Sequence, residues 1–196
     1  RHELRALLPA GGARNAVDCA LWELEAAIEG VPAWQLAGMQ PPKPLLTTFT
    51  VGADDPDVMA QRARAYTHAR AIKLKLTGEA GLDIERLRAV RAARPDAWIG
   101  VDANQGYTRD TLTQLVDVLV EARVELLEQP LARDQHAALG QLQQRTSIPI
   151  VADESVQTLD DIKQLGAAGV RGINLKLMKV GGLTNTLKIL KRSREL

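Results

Sequence analysis

A short apolar run that ends in a charged residue recurs along most of this chain, and its near-constant spacing limits the fold more than any other feature. Counting from Lys75 in Ala71-Ile72-Lys73-Leu74-Lys75-Leu76, the later run endings fall at Asp102, Glu128, Asp153 and Lys176, in steps of 23 to 27 residues. Each step has room for one strand and one helix of ordinary length. Alternating and β-branched residues mark strands at 45–51, 71–76, 98–104, 124–130, 148–155 and 172–178. Helical patterns fill the intervals near 56–69, 83–94, 108–122, 134–145 and 158–167, and Gly181-Gly182 introduces a last helix.

Six consecutive strand–helix units predict a parallel sheet, because parallel neighbours need a crossover between them. A doubly wound sheet usually carries a glycine-rich turn after its first strand. Here Val51-Gly52-Ala53-Asp54-Asp55 carries a single glycine. Charges that close strand after strand fit a (β/α) barrel instead, whose functional groups collect at the C-terminal rim. Six units are present where a barrel has eight, so the expectation is an incomplete barrel.

Ahead of the repeats, residues 1–30 read as helical. Apolar residues at 17, 20, 21, 24, 27 and 28 form a stripe, Gly30 suits a C-terminal cap, and 31–38 reads as a second short helix. Gln40-Pro41-Pro42-Lys43-Pro44 is a linker stiffened by three prolines. The domain reading is therefore 1–39 helical, 40–44 linker and 45–196 partial barrel. Because the sequence opens on Arg1 and stops inside a helical pattern, it reads as a fragment or part of a longer chain.

Composition excludes several classes. With 25 basic against 24 acidic residues there is no basic excess for a nucleic-acid partner. Lys191, Arg192 and Arg194 read as a helix C-terminus. No apolar run is long enough for a membrane span, and the opening residues lack a charged-then-apolar pattern, so no leader is expected in them. Cys19 is the single cysteine, so no intrachain disulfide forms; a reducing, cytoplasmic setting and a buried structural thiol are expected. The three histidines, His2, His68 and His136, share no spacing and read as surface residues.

Strand alternation places Lys73 with Lys75, Gly100 with Asp102 and Asn104, Leu126 with Glu128, Val151 with Asp153, and Asn174 with Lys176. Three carboxylates converging from successive strands call for a bound cation. An all-oxygen set favours Mg²⁺ ahead of Mn²⁺ or Ca²⁺. In an eight-stranded barrel the second and sixth strands are diametrically opposite, which would set Lys75 against Lys176. Two opposed lysines beside a cation suit removal and return of a proton next to a carboxylate, with the enediolate stabilised by Mg²⁺. Lys73 would either favour the neutral form of Lys75 by adding a second cation, or bind the substrate carboxylate itself.

Five ordered motifs carry a resemblance. Lys73-Leu74-Lys75, Val101-Asp102-Ala103-Asn104, Glu128-Gln129-Pro130, Ala152-Asp153-Glu154-Ser155 and Asn174 to Gly182 together resemble the enolase superfamily, muconate-lactonizing subgroup. That superfamily pairs a Lys or His base with Mg²⁺. Residues 14–25 and 173–182 look most like its dipeptide epimerases. The resemblance implies Mg²⁺ (or Mn²⁺) ligation by Asp102, Glu128 and Asp153, and acid/base roles for Lys75 and Lys176. It further implies substrate contacts from Lys73 and Thr48, and a capping-domain origin for residues 1–39. A small carboxylate substrate, a dipeptide such as L-Ala-L-Glu, follows, and a homo-oligomer is compatible with it. The other readings are o-succinylbenzoate synthase, muconate cycloisomerase, or a truncated chain without catalysis.

Overall fold

The computed structural model describes Arg1 and residues 3–194; His2 lies outside the described residues. In chain order the elements begin with α1 (Leu4–Leu7), α2 (Gly12–Glu29) and α3 (Ala33–Leu36). Then come β1 (Phe49–Val51), α4 (Pro56–Ala65), β2 (Ala71–Lys75), α5 (Ala80–Ala93), β3 (Trp98–Asp102) and α6 (Arg109–Glu121). They continue with β4 (Leu126–Glu128), α7 (His136–Arg145), β5 (Ile150–Ala152), α8 (Leu159–Ala168) and β6 (Gly172–Ile173). Short α9 (Leu177–Val180) and α10 (Leu183–Ser193) close the series. The chain forms two compact units, one of Leu46–Ser155 with Gln164–Asn174 and one of Arg1–Leu45, Val156–Lys163 and Leu175–Leu196.

The first unit is built on a parallel sheet whose six strands run in sequence order from β1 to β6. The sheet is open, as the six-unit pattern predicts. Register places Ile72 beside Ile99, Leu74 beside Val101, Val101 beside Leu127, and Leu127 beside Ile150. All of these are fully buried, and Met59, Leu87, Val90, Leu115, Leu119 and Leu139 bring equally buried side chains from α4 to α7. Each such leucine contributes about 1.5–3 kcal/mol by leaving water. Gly140 permits one close approach: a Cβ there would fall 2.1 Å from the carbonyl oxygen of Ala168.

Local signals set the helix starts. Asp55 caps α4 by accepting from the Asp57 amide at 2.9 Å, with Pro56 in the first turn. Thr108 and Thr111 form a reciprocal capping box on α6. Two arginines close the opposite ends. Arg91 donates to the carbonyls of Ala122, Arg94, Ala97 and Arg123, and Arg94 to those of Tyr66 and Ala69. These bonds add side-chain donors to carbonyls at the helix ends and in the turns that follow, where intrahelical partners run out.

The strands are shorter than their alternation predicts. Residues 45–48 have no strand hydrogen bonding, and β1 begins only at Phe49. Val124 donates to Leu119 in the turn that closes α6, and β4 begins only at Leu126. The predicted sixth strand stops at Ile173, and residues 177–180 turn into α9.

The second unit corrects the reading of α2. Its buried face is Arg14, Asp18, Trp22 and Ala26, while Val17, Leu24 and Ile28 of the predicted stripe are exposed. The polar members of that face have defined partners. Arg14 donates to the carbonyls of Val180 and Gly181 at 2.9 and 3.1 Å, and Asp18 accepts from the Thr184 amide at 2.9 Å. Gly181 and Gly182 are required beside them, since both have positive φ and a Cβ on either would strike Arg14 or Asp18. Gly181-Gly182 is thus a tight turn whose following helix already has an acid at its N-terminus. Cys19 is only half-buried, with its thiol 3.5 Å from Asn15 Oδ1. His68 is exposed, and His136 is half-buried with Nδ1 2.9 Å from Gln164. No helix among the described residues is long and apolar enough to cross a membrane.

Candidate active site

The face of the sheet opposite the apolar core carries the charges. Lys75 is the register partner of Asp102, and Asp102 of Glu128, so these three occupy one level on adjacent strands. Glu128 is paired with Val151, which leaves Asp153 two residues further along. Asp102, Glu128 and Asp153 are 1–2 % exposed. Buried carboxylates are costly unless paired, and two of them are visibly paired. Lys75 Nζ donates to Asp102 Oδ2 at 2.6 Å and to Asn104 Oδ1 at 2.9 Å. Lys73 Nζ lies 3.5 Å from the same Asp102 oxygen and makes an ion pair with Glu128 Oε2.

Neutral groups orient these acids. The Asn104 amide donates to Asp102 Oδ1 at 3.1 Å, and Asn174 Nδ2 donates to Glu128 Oε1 at 2.8 Å. Glu154 is drawn in through Asn104 Nδ2, 3.4 Å from Glu154 Oε1. Beneath Asp102, Gly100 leaves space that the Trp98 indole occupies, since a Cβ at 100 would fall 2.7 Å from that ring.

The loops leaving the strands are tied to one another. Asp83, fully buried on α5, accepts from the amides of Thr77 and Gly78 after β2, from Arg86 Nη1, and from the Tyr107 hydroxyl after β3. Burial and the Asp83 carboxylate push the Tyr107 hydroxyl far above the ordinary phenol range. Gly78, with φ +96°, meets Gly106 so closely that a Cβ would fall 2.1 Å from the Gly106 carbonyl oxygen. Gln105 and Tyr107 donate their amides to the carbonyls of Gln129 and Pro130 in the next loop. Asn104, Gln105 and Gln129 all have positive φ, a strained geometry for residues with a side chain.

The structure thus brings together Lys73, Lys75, Asp102 and Glu128, with Asp153 on the same face one pleat beyond. Thr48 is exposed, just before β1, and Lys176 is the exposed residue preceding α9 in the other unit. Among the described residues, no three His, Cys, Asp or Glu side chains are gathered closely enough to hold a metal ion. Instead the Lys73 ammonium bridges Asp102 and Glu128. The donor set itself fits a hard divalent cation: three buried carboxylates against two ammonium groups leave one negative charge when all five are ionised. Asp83, Tyr107, Gln129, Ser155 and the Asn174–Glu128 bond were not expected from the sequence. Gln129 had a signal, because it is a polar residue at a position where alternation calls for an apolar one.

Six sequential parallel strands with acids and lysines at their C-terminal ends define the class as an enolase-type (β/α) barrel scaffold, of which this chain supplies a part. The family profile described as "Enolase C-terminal domain-like" matches residues 58–195, and the chain belongs to this family. It is 39% identical over 194 residues to the L-Ala-D/L-Glu epimerase of Escherichia coli (strain K12), covering 99% of this chain and 60% of that protein. The D-Ala-D/L-Ala epimerase of Cytophaga hutchinsonii is 32% identical, with 93% of this chain and 50% of the relative covered. A solved dipeptide epimerase from Cytophaga hutchinsonii, complexed with Mg and the dipeptide D-Ala-L-Val, superposes with a TM-score of 0.92 at 31% identity, over 97% of this chain and 53% of that one. The chain therefore spans between half and three-fifths of the length of these relatives.

Proposed function

We propose that this chain carries most of the catalytic barrel of a Mg²⁺-dependent epimerase acting at an amino-acid α-carbon, with a dipeptide such as L-Ala-L-Glu as substrate. The observation that carries the reading is the contact of Lys75 with buried Asp102, whose register partner Glu128 is equally buried, in a chain similar along its length to epimerases of dipeptides. Residues 1–39 are read as the end of a capping domain, 40–44 as linker and 45–196 as barrel.

Asp102, Glu128 and Asp153 would hold the cation, Mg²⁺ or in its place Mn²⁺. When bound, it supplies positive charge next to the substrate carboxylate, where negative charge grows as the α-proton leaves. With Lys75 neutral, as the proton step requires, three carboxylates, one ammonium and the cation would sum to zero, so the site would no longer repel a carboxylate ligand. Lys73, which bridges Asp102 and Glu128, would turn from these carboxylates to the substrate carboxylate once they hold the cation. Thr48 would add a hydroxyl contact.

In the proton steps, Lys75 Nζ in its neutral form accepts the α-proton, the C–H pair stays on the substrate, and the α-carbon becomes planar. Lys176 in its charged form returns a proton to the opposite face, which inverts the centre; in the reverse direction the roles exchange. Asn104, which touches Lys75 Nζ, orients the base.

The test is solvent exchange. The full-length protein with Mg²⁺ and L-Ala-L-Glu in D₂O is expected to place deuterium at the glutamyl α-carbon, read by proton NMR, together with L-Ala-D-Glu. Lys75→Ala is expected to abolish exchange from at least one epimer. No exchange and no turnover by the wild-type protein would overturn the epimerase reading; turnover of a cyclohexadiene precursor of o-succinylbenzoate would replace it.

A further inference from the structure

We propose that Gln129 is the positioning residue that sets two of the three carboxylates, Glu128 and Asp153, in their cation-binding arrangement. This inference rests on the reading of Asp102, Glu128 and Asp153 as the cation site. Gln129 follows Glu128 directly and is completely buried. A primary amide offers two donors and two principal acceptor positions, and here all are used. Oε1 accepts from the backbone amides of Asp153 at 2.8 Å and Ser155 at 3.1 Å. Nε2 donates to the Leu131 carbonyl and to Ser155 Oγ, both at 2.9 Å. Ser155 Oγ passes the connection on to the Arg133 carbonyl at 2.7 Å.

One amide group thus spans the loops after β4 and β5 and fixes the backbone at the residue whose carboxylate must point at the cation. Its own main chain takes a φ of +37°, unfavourable for glutamine, and its carbonyl accepts from Gln105 in the loop after Asp102 at 2.7 Å. Strain of this kind persists where surrounding bonds over-determine the geometry. The strand register leaves this tie a place to act: β5 ends at Ala152, its last paired residue, and Asp153 follows in the loop, where the Gln129 side chain holds its amide.

A purely structural cross-link and a positioning role differ in one measurable quantity, the affinity for the cation. Removing groups that orient metal ligands commonly weakens binding by about 10- to 100-fold. Isothermal titration of Mg²⁺ into the full-length protein should show a loss of that size for Gln129→Met, which keeps the volume but none of the four bonds. Leu119→Ala, a core variant of α6 remote from the rim loops, should leave the affinity within about threefold of wild type while lowering thermal stability. Asp153→Asn should weaken Mg²⁺ binding at least as much as Gln129→Met. If Asp153→Asn weakens binding and Gln129→Met does not, the positioning role is overturned and the cation site stands. If Asp153→Asn leaves binding unchanged, the cation site is misassigned and the positioning role falls with it. Should Gln129→Met not fold, Ser155→Ala removes one of the four partners. A several-fold loss of Mg²⁺ affinity then supports the role, and an unchanged affinity overturns it.

Discussion

Replacing Tyr107 with phenylalanine deletes one oxygen atom, and with it one of the groups that hold the buried Asp83 carboxylate. Asp83 keeps the Thr77 and Gly78 amides and Arg86, so the variant should fold with its loops in place but less firmly joined. A hydrogen bond to a charged partner contributes about 1.5–3 kcal/mol. For a chain of 150–250 residues that corresponds to a fall in Tm of roughly 3–12 °C. Urea unfolding followed by circular dichroism should show a lower midpoint with an unchanged slope, since the surface exposed on unfolding is the same. The alkaline limb gives an independent reading. Burial and Asp83 raise the Tyr107 hydroxyl above its ordinary value, whereas in the unfolded chain it ionises near pH 10. The fold therefore favours the protonated form: this stability is complete below about pH 10 and is lost as the pH rises above it. Tyr107→Phe should lose less stability between pH 9 and 11 than the wild type. A destabilisation below about 0.5 kcal/mol, well under the charged-bond range, with parallel alkaline limbs, would refute the claim that this hydroxyl joins the two loops.

Three further outcomes can be checked by unfolding. Gly78→Ala forces a side chain into positive φ and onto the Gly106 carbonyl, so it should cost at least about 2 kcal/mol; a variant of wild-type stability would show that the two loops are not in contact. Asp18→Ala withdraws the acceptor from the Thr184 amide at the start of α10 and should lower stability by about 1–3 kcal/mol in thermal melts. Arg94 beside Asp96 holds that carboxyl down to about 2, so its contribution is present above about pH 4 and is lost as the pH falls towards 2. Asp96→Asn should flatten the acid limb of a urea-midpoint profile between those values, and an unchanged limb would contradict the pairing.

The repeat and the strand parity were legible because both are written in side chains. Ile72, Leu74, Ile99 and Val101 are buried on one face, and Lys73, Lys75 and Asp102 share the other, as alternation requires. Strand ends were less legible, since the alternation runs on into loops such as 45–48 whose backbone is unpaired. The stripe on α2 failed for a different reason. Periodicity shows which side of a helix is apolar, but Arg14 and Asp18 are buried by the backbone of a glycine turn more than 160 residues away. The same reason hid Gln129, three of whose four partners are main-chain groups, and in part Asp83, which accepts from the Thr77 and Gly78 amides. Backbone groups are common to every residue and leave no mark in a sequence.

The glycine at position 100 has a consequence for observing the site. Because the Trp98 ring folds over it, an indole sits about 7 Å below the level of Asp102, two residues of strand rise. An indole at that distance is a built-in optical probe, its emission sensitive to the charge held in the layer above. Filling, emptying or mutating that layer should change the colour and yield of Trp98 without any attached label, against the background of Trp22 and Trp34 in the other unit. Any larger residue at position 100 would push the ring aside and silence the reporter.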